Sequence, residues 1–217
     1  MKLVLLGPPG AGKGTQAVKL AEEFNIPAIS TGHIIRNAIA DGTPVGIEAK
    51  AFIERGELVP DSIVVEIVQE RLKDKDCANG YILDGFPRTV SQAEIMEQLP
   101  IPIDLVIEIH VDADIIIERL SGRRECKTCG ATYHVHDNPP QKEGVCDRCN
   151  SPLIRRDDDV PDIIKNRIRV YGEQTEPLKA FYQKKGLLVS VNGQNMVSDT
   201  TEAVINAIKE RNVEAGV

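Results

Sequence analysis

Gly7-Pro8-Pro9-Gly10-Ala11-Gly12-Lys13-Gly14-Thr15 is the stretch on which the reading turns. The apolar run Leu3-Val4-Leu5-Leu6 precedes it, and Ala17, Leu20, Ala21 and Phe24 follow at helical spacing. Strand, glycine loop and helix in that order are the setting in which G-x-x-x-x-G-K-[ST] means phosphate binding. Gly7, Gly12 and Lys13 stand where the pattern needs them, while Gly14 takes the usual hydroxyl position and Thr15 comes one later. The physics survives this shift. Glycines let backbone N–H groups turn inward around an anion, and the helix beginning near Lys13 adds its positive N-terminal end. Lys13 supplies a mobile point charge for the outer phosphates. A plain glycine turn would need the glycines, the lysine and both flanks to coincide by chance.

Outward from this loop, the 217 residues allow one good core with inserted lobes. With no Trp and few aromatics, that core must be aliphatic. A net charge of −7 argues against a general nucleic-acid binder, so a phosphorylated substrate needs a local cationic pocket. No apolar stretch approaches the roughly 20 residues of a membrane helix. Met1 runs straight into the first strand, so we expect no signal peptide and a cytoplasmic home.

Along the chain, Ala28-Ile29-Ser30 reads as a second strand, followed by Ile34, Ile35, Ala38 and Ile39 at helical spacing. Thr43-Pro44 looks like a cap with proline at the first helical position, and Arg55-Gly56 ends that helix. Residues 31–59 therefore hold two or three short helices, more than a plain crossover needs, and read as an inserted lobe. Val64, Ile67, Val68 and Leu72 mark another helix, and Tyr81-Ile82-Leu83-Asp84 a buried strand ending in an acid. Ser91-x-x-Glu94 has the form of a capping box for a helix reaching about Gln98. Residues 104–109 are rich in β-branched side chains and predict a strand, and Asp112 a cap. A helix resumes at Val160-Pro161, bends near Thr175-Glu176-Pro177, and leads to a last strand at 187–191 and a closing helix at 201–211. Alternating strands and helices give a five-stranded parallel sheet covered on both faces, with the ligand at the carboxyl ends of the strands. Asp84 and Arg88 then face the crevice that the glycine loop opens.

From Gly122 the texture changes to few aliphatics, with Cys126-x-x-Cys129 and Cys146-x-x-Cys149 separated by residues 130–145. That gap matches the roughly 15–20 residues between the two pairs of a four-cysteine zinc site. Four thiolates close a tetrahedral site, which is structural rather than catalytic. The metal would cross-link a segment too poor in aliphatics to bury a core. His134 and His136 lie nearby, but the sphere is already filled. Charges in the segment nearly balance, with no aromatic ladder beyond Tyr133, which speaks against nucleic acid. Cys77 reads as a small core residue.

Arg36, Arg88, Arg119, Arg123, Arg156 and Arg167 lie near element ends or lobe edges. Phosphoryl transfer needs such cations, because charge spreads over the migrating group's oxygens. Arg119 and Arg123, read as four apart on one helix, would repel unless an anion joins them.

Gly7 to Gln16, Ser30-Thr31-Gly32, Asp84-Gly85-Phe86-Pro87-Arg88-Thr89, Gly122-Arg123-Arg124 and the four cysteines together resemble the adenylate kinase family, in its long-lid, zinc-containing bacterial form. The resemblance runs from residue 1 to about residue 195, and the shifted Gly14-Thr15 is the family's own form of the loop. It implies a P-loop nucleoside monophosphate kinase fold, with a core of residues 1–29, 60–121 and 160–217. It also implies a helical AMP lobe at 30–59 and a zinc-ribbon-like lid at 122–159. The implied reaction is ATP + AMP ⇌ 2 ADP with Mg²⁺, in a cytoplasmic monomer that binds neither nucleic acid nor membrane.

By position in that family, Gly10, Ala11, Gly12, Lys13, Gly14 and Thr15 would hold the ATP phosphates. Thr132 and Tyr133 would lie near the ATP base or ribose, and Asn195 would touch adenine. Thr31, Arg36, Glu57, Leu58, Val59, Gly85, Phe86, Pro87, Arg88 and Gln92 would hold AMP. Gln92 would read the adenine edge, which suits an amide with both donor and acceptor. Arg119, Arg123, Arg156 and Arg167 would clamp phosphates and, with Lys13 and Arg88, carry the catalysis. Asp84 would hold Mg²⁺ through its water shell, fitting an ion reluctant to dehydrate. Zn²⁺ would be structural at Cys126, Cys129, Cys146 and Cys149. No general base is required, since the acceptor phosphate is already an anion; the work is positioning, charge neutralisation and water exclusion under a closing lid.

One departure stands out. The family usually carries Ser-Thr-Gly-Asp, and this chain has Ser30-Thr31-Gly32-His33. That acid's role is ordering water around magnesium, so we expect weaker magnesium dependence or slower turnover here. Two other readings of the chain are a UMP or CMP kinase on the same scaffold, and a non-enzymatic nucleotide-sensing or zinc-binding module. Gln92 and the long lid oppose the first, and the combined arginine motifs oppose the second.

Overall fold

A computed structural model describes residues 1–194 and 196–214. Five strands form a parallel sheet: β1 (Lys2–Leu6), β2 (Ala28–Ser30), β3 (Tyr81–Asp84), β4 (Leu105–His110) and a last strand, Leu188–Asn192, in the order β2-β3-β1-β4-last. Val4 pairs with Leu83 on one side and Val106 on the other, which makes β1 central. Side chains alternate across the sheet. Val4, Leu6, Ile29, Leu83 and Val106 point to one apolar layer, and Leu3, Leu5, Ile82, Leu105 and Ile107 to the other. Both faces are therefore covered, which is why these strands read as continuous apolar runs.

The helices are α1 (Lys13–Phe24), α2 (Thr31–Ala40), α3 (Pro44–Arg55), α4 (Asp61–Leu72), α5 (Val90–Gln98), α6 (Ala113–Gly122), α7 (Pro161–Val170), α8 (Pro177–Lys184) and α9 (Val197–Glu214). Helix α1 and the closing helix α9 cover the Leu3/Leu5 layer through Leu20, Val204 and Ile208. Helices α4, α5 and α8 cover the other through Val68, Met96 and Tyr182. Thr43 caps α3 by accepting the Gly46 N–H, as its sequence implies.

Residues 123–154 form a separate three-stranded antiparallel sheet of β5 (Arg123–Cys126), β6 (Thr132–His134) and β7 (Leu153–Ile154), with β5 in the middle. The last core strand is β8 (Leu188–Asn192).

The structure corrects several local readings. The cap of α5 is Thr89, not Ser91: its Oγ1 accepts the Gln92 N–H at 3.0 Å. Thr89 falls in the extended region that a cap needs, whereas Ser91 already lies inside the helix. Arg123 does not share a helix face with Arg119, because α6 ends at Gly122 and Arg123 opens β5 in extended conformation. Asp112 sits at the N-cap of α6 without a side-chain cap hydrogen bond. The break expected near Thr175 is a π-helical turn over Tyr171–Thr175 that leads into α8. The closing helix begins at Val197, four residues earlier than its apolar spacing marks.

Candidate active site

The glycine loop leaves β1 at the carboxyl edge of the sheet. Gly7 has φ +143°, and a Cβ there would sit 2.5 Å from the Ile109 carbonyl oxygen of β4. Only glycine allows the loop to leave so close to the neighbouring strand. Beneath it, Ala11 packs with Ile109, Ile116, Leu120 and Ile164, which ties the loop to α6 and α7. Lys13 opens α1, and its Nζ donates to the carbonyls of Gly7 and Pro8 at 2.7 and 2.9 Å. Burial draws the Lys13 ammonium down to about 8; Asp84 opposes this, and Arg88, Arg167 and Arg123 add to it.

Asp84 ends β3 with Oδ2 facing the loop, 3.4 Å from where a Cβ on Gly14 would lie. Gly85 follows at φ +84°, and a Cβ there would come within 2.8 Å of Arg88 Nη2 and 2.9 Å of Thr31 Oγ1. The missing side chain lets Arg88 fold back, so that its Nε donates to the Gly85 carbonyl at 2.8 Å. Thr31 Oγ1 donates to the same carbonyl at 3.0 Å.

One continuous cleft is lined by Gly10 to Thr15, Thr31, Arg36, Glu57 to Val59, Asp84, Gly85, Pro87, Arg88 and Gln92, and across it by Arg119, Arg123, Thr132, Tyr133, Arg156 and Arg167. Phe86 does not line it; its side chain is fully buried in the core layer under α4 and α5. Asn195 lies outside the described residues.

The arginines are held in an ordered array of acids. Arg123 grips Asp159 with two hydrogen bonds of 2.8 and 2.6 Å, and Arg167 reaches Asp159 at 2.8 Å and Asp158 at 3.0 Å. Glu125, on β5, is shared by Arg36 of α2 at 3.1 Å and by Arg156. Asp159 is 0% and Glu125 4% exposed, so these are buried charges that must be paired. Burial pulls the guanidiniums of Arg36, Arg88, Arg156 and Arg167 below their ordinary range. Arg88 and Arg119 have no carboxylate partner among the described residues; Arg119 Nη2 donates to the Gln194 carbonyl at 3.1 Å. The result is a concentration of positive charge aimed at a cleft in an otherwise acidic chain.

Beside the antiparallel sheet, Cys126, Cys129, Cys146 and Cys149 place their sulfurs within 4.8 Å of one another. Sulfur separations of 3.4 and 3.6 Å come close to the about 3.8 Å of a tetrahedron built on 2.3 Å zinc–sulfur bonds. The donor set fits zinc.

The sequence model of the family described as "Adenylate kinase" matches residues 5–187. An adenylate kinase of Caldicellulosiruptor bescii is 52% identical over 212 residues, covering 96% of this chain and 99% of the relative. An adenylate kinase of a Geobacillus species is 56% identical over 198 residues, covering 89% and 92%. One of Oceanobacillus iheyensis is 53% identical over 212 residues, covering 94% and 99%.

The chain belongs to the adenylate kinase family.

Against the family's usual acid, His33 has a defined setting. Its Nε2 lies 3.2 Å from Asn37 Nδ2, and its ring stands 3.1 Å from where a Cβ on Gly130 would be. Burial, with Arg36 and Arg156 adding, holds its pKa below the ordinary value. Sequence reasoning did not single out Glu125, Asp158, Asp159 or Asp61. The run Arg155-Arg156-Asp157-Asp158-Asp159 carried a signal, since opposite charges set back to back mark an ion-pair network. Glu125 gave none; its partner Arg36 is 89 residues away in the chain.

Proposed function

We propose that this protein is a long-lid adenylate kinase that interconverts ATP + AMP and 2 ADP. The observation that carries the reading is the joint one: a glycine loop at the end of β1, an acid at the end of β3, and arginines from α2, α6, α7, β5 and the loops after β3 and β7 converging on one cleft. Residues Gly10 to Thr15 with Arg119 and Arg123 take ATP, with Thr132 and Tyr133 beside its nucleoside. Thr31, Arg36, residues 57–59, residues 85–88 and Gln92 take AMP. Arg88, Arg123, Arg156 and Arg167 flank the transferred phosphoryl group. Two polyanions repel, so fixed cations in a dry cleft supply both positioning and charge stabilisation. Mg²⁺ bound with ATP would be held by Asp84 through water, and it supplies further neutralisation of the phosphate charge.

Residues 122–159 serve as the lid and 30–59 as the AMP lobe. They meet the core and each other through Thr15 Oγ1 and Thr132 Oγ1 at 3.2 Å, through Arg36 and Glu125, and through His33 and Gly130. Closure in this form keeps water from the reacting phosphate. Zn²⁺ at the four cysteines holds the lid in shape. Among the described residues no helix is long and apolar enough to cross a membrane. We place the enzyme in the cytoplasm as a monomer acting on ATP, AMP and ADP, without nucleic acid.

The test is a coupled assay of ADP formation with AMP, UMP, CMP or GMP as acceptor, over a magnesium titration, in the native chain and in His33→Asp. Strong preference for AMP is expected, with a steeper magnesium response in the variant. Equal use of UMP or CMP would overturn the adenine assignment, and an unchanged magnesium response would remove the role given to position 33.

A further inference from the structure

Gln92 is gripped at both ends of its amide. Its Nε2 donates to Asp61 Oδ1 at 2.7 Å, and its Oε1 accepts the Arg88 N–H at 2.6 Å. Asp61 is the first residue of α4, a different element from the α5 that carries Gln92. Its other oxygen accepts from Thr89 Oγ1 at 3.1 Å, and that same Thr89 oxygen accepts the Gln92 N–H at 3.0 Å. Asp61, Thr89 and Gln92 thus form a closed ring of hydrogen bonds.

A primary amide has two N–H donors and two acceptor positions. The protein uses one of each on Gln92. One N–H and one lone pair remain, side by side, on a residue 1% exposed that nonetheless lines the cleft. A donor beside an acceptor in a fixed order complements an edge with the reverse order. The 6-amino purine presents ring N1 as acceptor beside its amino donor. The 6-oxo purine presents N1–H as donor beside a carbonyl acceptor, and would need the amide turned over. Turning it over would set Nε2 against the Arg88 N–H, two donors, and Oε1 against Asp61, two acceptors. A carboxylate accepts and cannot donate, so Asp61 has no rotamer that rescues the flipped state.

We propose that Asp61 is the positioning residue that sets acceptor-base specificity, by holding the Gln92 amide in the one orientation that matches a 6-amino purine and opposes a 6-oxo purine. This rests on the reading of Gln92 as the residue that meets the acceptor base.

The experiment compares kcat and KM for AMP and for inosine 5′-monophosphate in the native enzyme, Asp61→Asn, Asp61→Ala and Gln92→Leu, with ATP saturating and thermal melts recorded for each. Asparagine keeps the shape of Asp61 but can donate as well as accept, so the flipped amide gains a partner. We expect Asp61→Asn and Asp61→Ala to lower the AMP-to-IMP ratio of kcat/KM about tenfold. The change falls on the acceptor's KM, with kcat at saturating AMP within about twofold and the KM for ATP unmoved. A residue that merely ties α4 to α5 would shift the melting temperature and leave that ratio alone. A native ratio in both Asp61 variants, with the ratio lost in Gln92→Leu, overturns the proposal while leaving Gln92 its role. A native ratio in Gln92→Leu overturns the base-reading assignment, and the proposal with it.

Discussion

Lys13 shows how one side chain's chemistry becomes a measurable property of the enzyme. Its ammonium is buried against Gly7 and Pro8, which brings its pKa from 10.5 to about 8 in the empty cleft. Triphosphate oxygens brought to the same place favour the charged form and raise it. The sign follows directly. Below pH 7 Lys13 is charged before and after ATP arrives, and no proton moves. Between about pH 8 and 10.5 the empty site has lost its proton and the loaded site regains it. ATP binding at pH 9 should therefore take up close to one proton, and ATP affinity should fall as pH rises through 8. Calorimetry in two buffers of different ionisation enthalpy reads the uptake directly. Lys13→Arg, which stays charged, should abolish it, and an equal uptake in that variant would refute the assignment. The same linkage acts on folding: the empty protein binds fewer protons than its unfolded chain across that window, so stability rises with pH through it.

Among the elements, the antiparallel sheet of β5, β6 and β7, with the cysteines beside it, has the least to hold it together. Its buried apolar set is Cys126, Ala131, Tyr133 and Cys146, with Cys129, Cys149 and Leu153 packed around them. That is far too little to offset the entropy of ordering more than 30 residues at about 1–2 kcal/mol each; a metal bound to the four thiolates, as proposed above, would close the balance. Stripping zinc, or making Cys129→Ser, should unfold residues 122–159 while the parallel sheet persists. Far-UV circular dichroism should keep the core's helical signal, and phosphoryl transfer should fall by at least about tenfold, since Arg123 and Arg156 lose their scaffold. A metal-free protein with native activity and an unchanged melting curve would show that the cysteines merely fill space. This element also marks the limit of what was legible in the chain. The strand–glycine loop–helix order, the Thr43 cap of α3 and the two cysteine pairs are local patterns, fixed within about 25 residues, and the structure has the loop between β1 and α1, the cap in place and the four sulfurs together. The cap of α5 was misread because Thr89-x-x-Gln92 and Ser91-x-x-Glu94 both have the form of a capping box. Only the extended backbone at Thr89, and the turn of Gln92 toward Asp61, decide between them. The pairing of Arg119 with Arg123 failed because a helix and a strand join at Gly122 with no proline or loop to announce it.

At the scale of the whole molecule, the charged tie between the antiparallel sheet and α2 joins residues far apart in sequence. Glu125 of β5 sits between Arg36 of α2 and Arg156, and all three are largely buried. A buried carboxylate shared by two guanidiniums compensates charge that would otherwise stand alone next to Arg123 and Arg167, and removing one partner of such a set leaves the others uncompensated. Glu125→Gln keeps the shape and removes the charge. The empty variant should lose on the order of 3 kcal/mol, which for a chain of this size is roughly 6–12 °C in melting temperature. In the assignment proposed above AMP brings its own anion to Arg36, and the transferred phosphoryl group lies beside Arg156. Saturating AMP should therefore stabilise the variant by more than it stabilises the native enzyme, so that the two melting temperatures converge. Differential scanning calorimetry with and without AMP measures both arms. If the gap between the two proteins is the same with AMP as without it, the phosphate does not compensate the charge left by Glu125, and the coupling between the lobe contact and the acceptor site is absent. If the gap closes, the acidic partners behind the arginines are the device that lets an unliganded enzyme gather so many cations in one cleft and still fold.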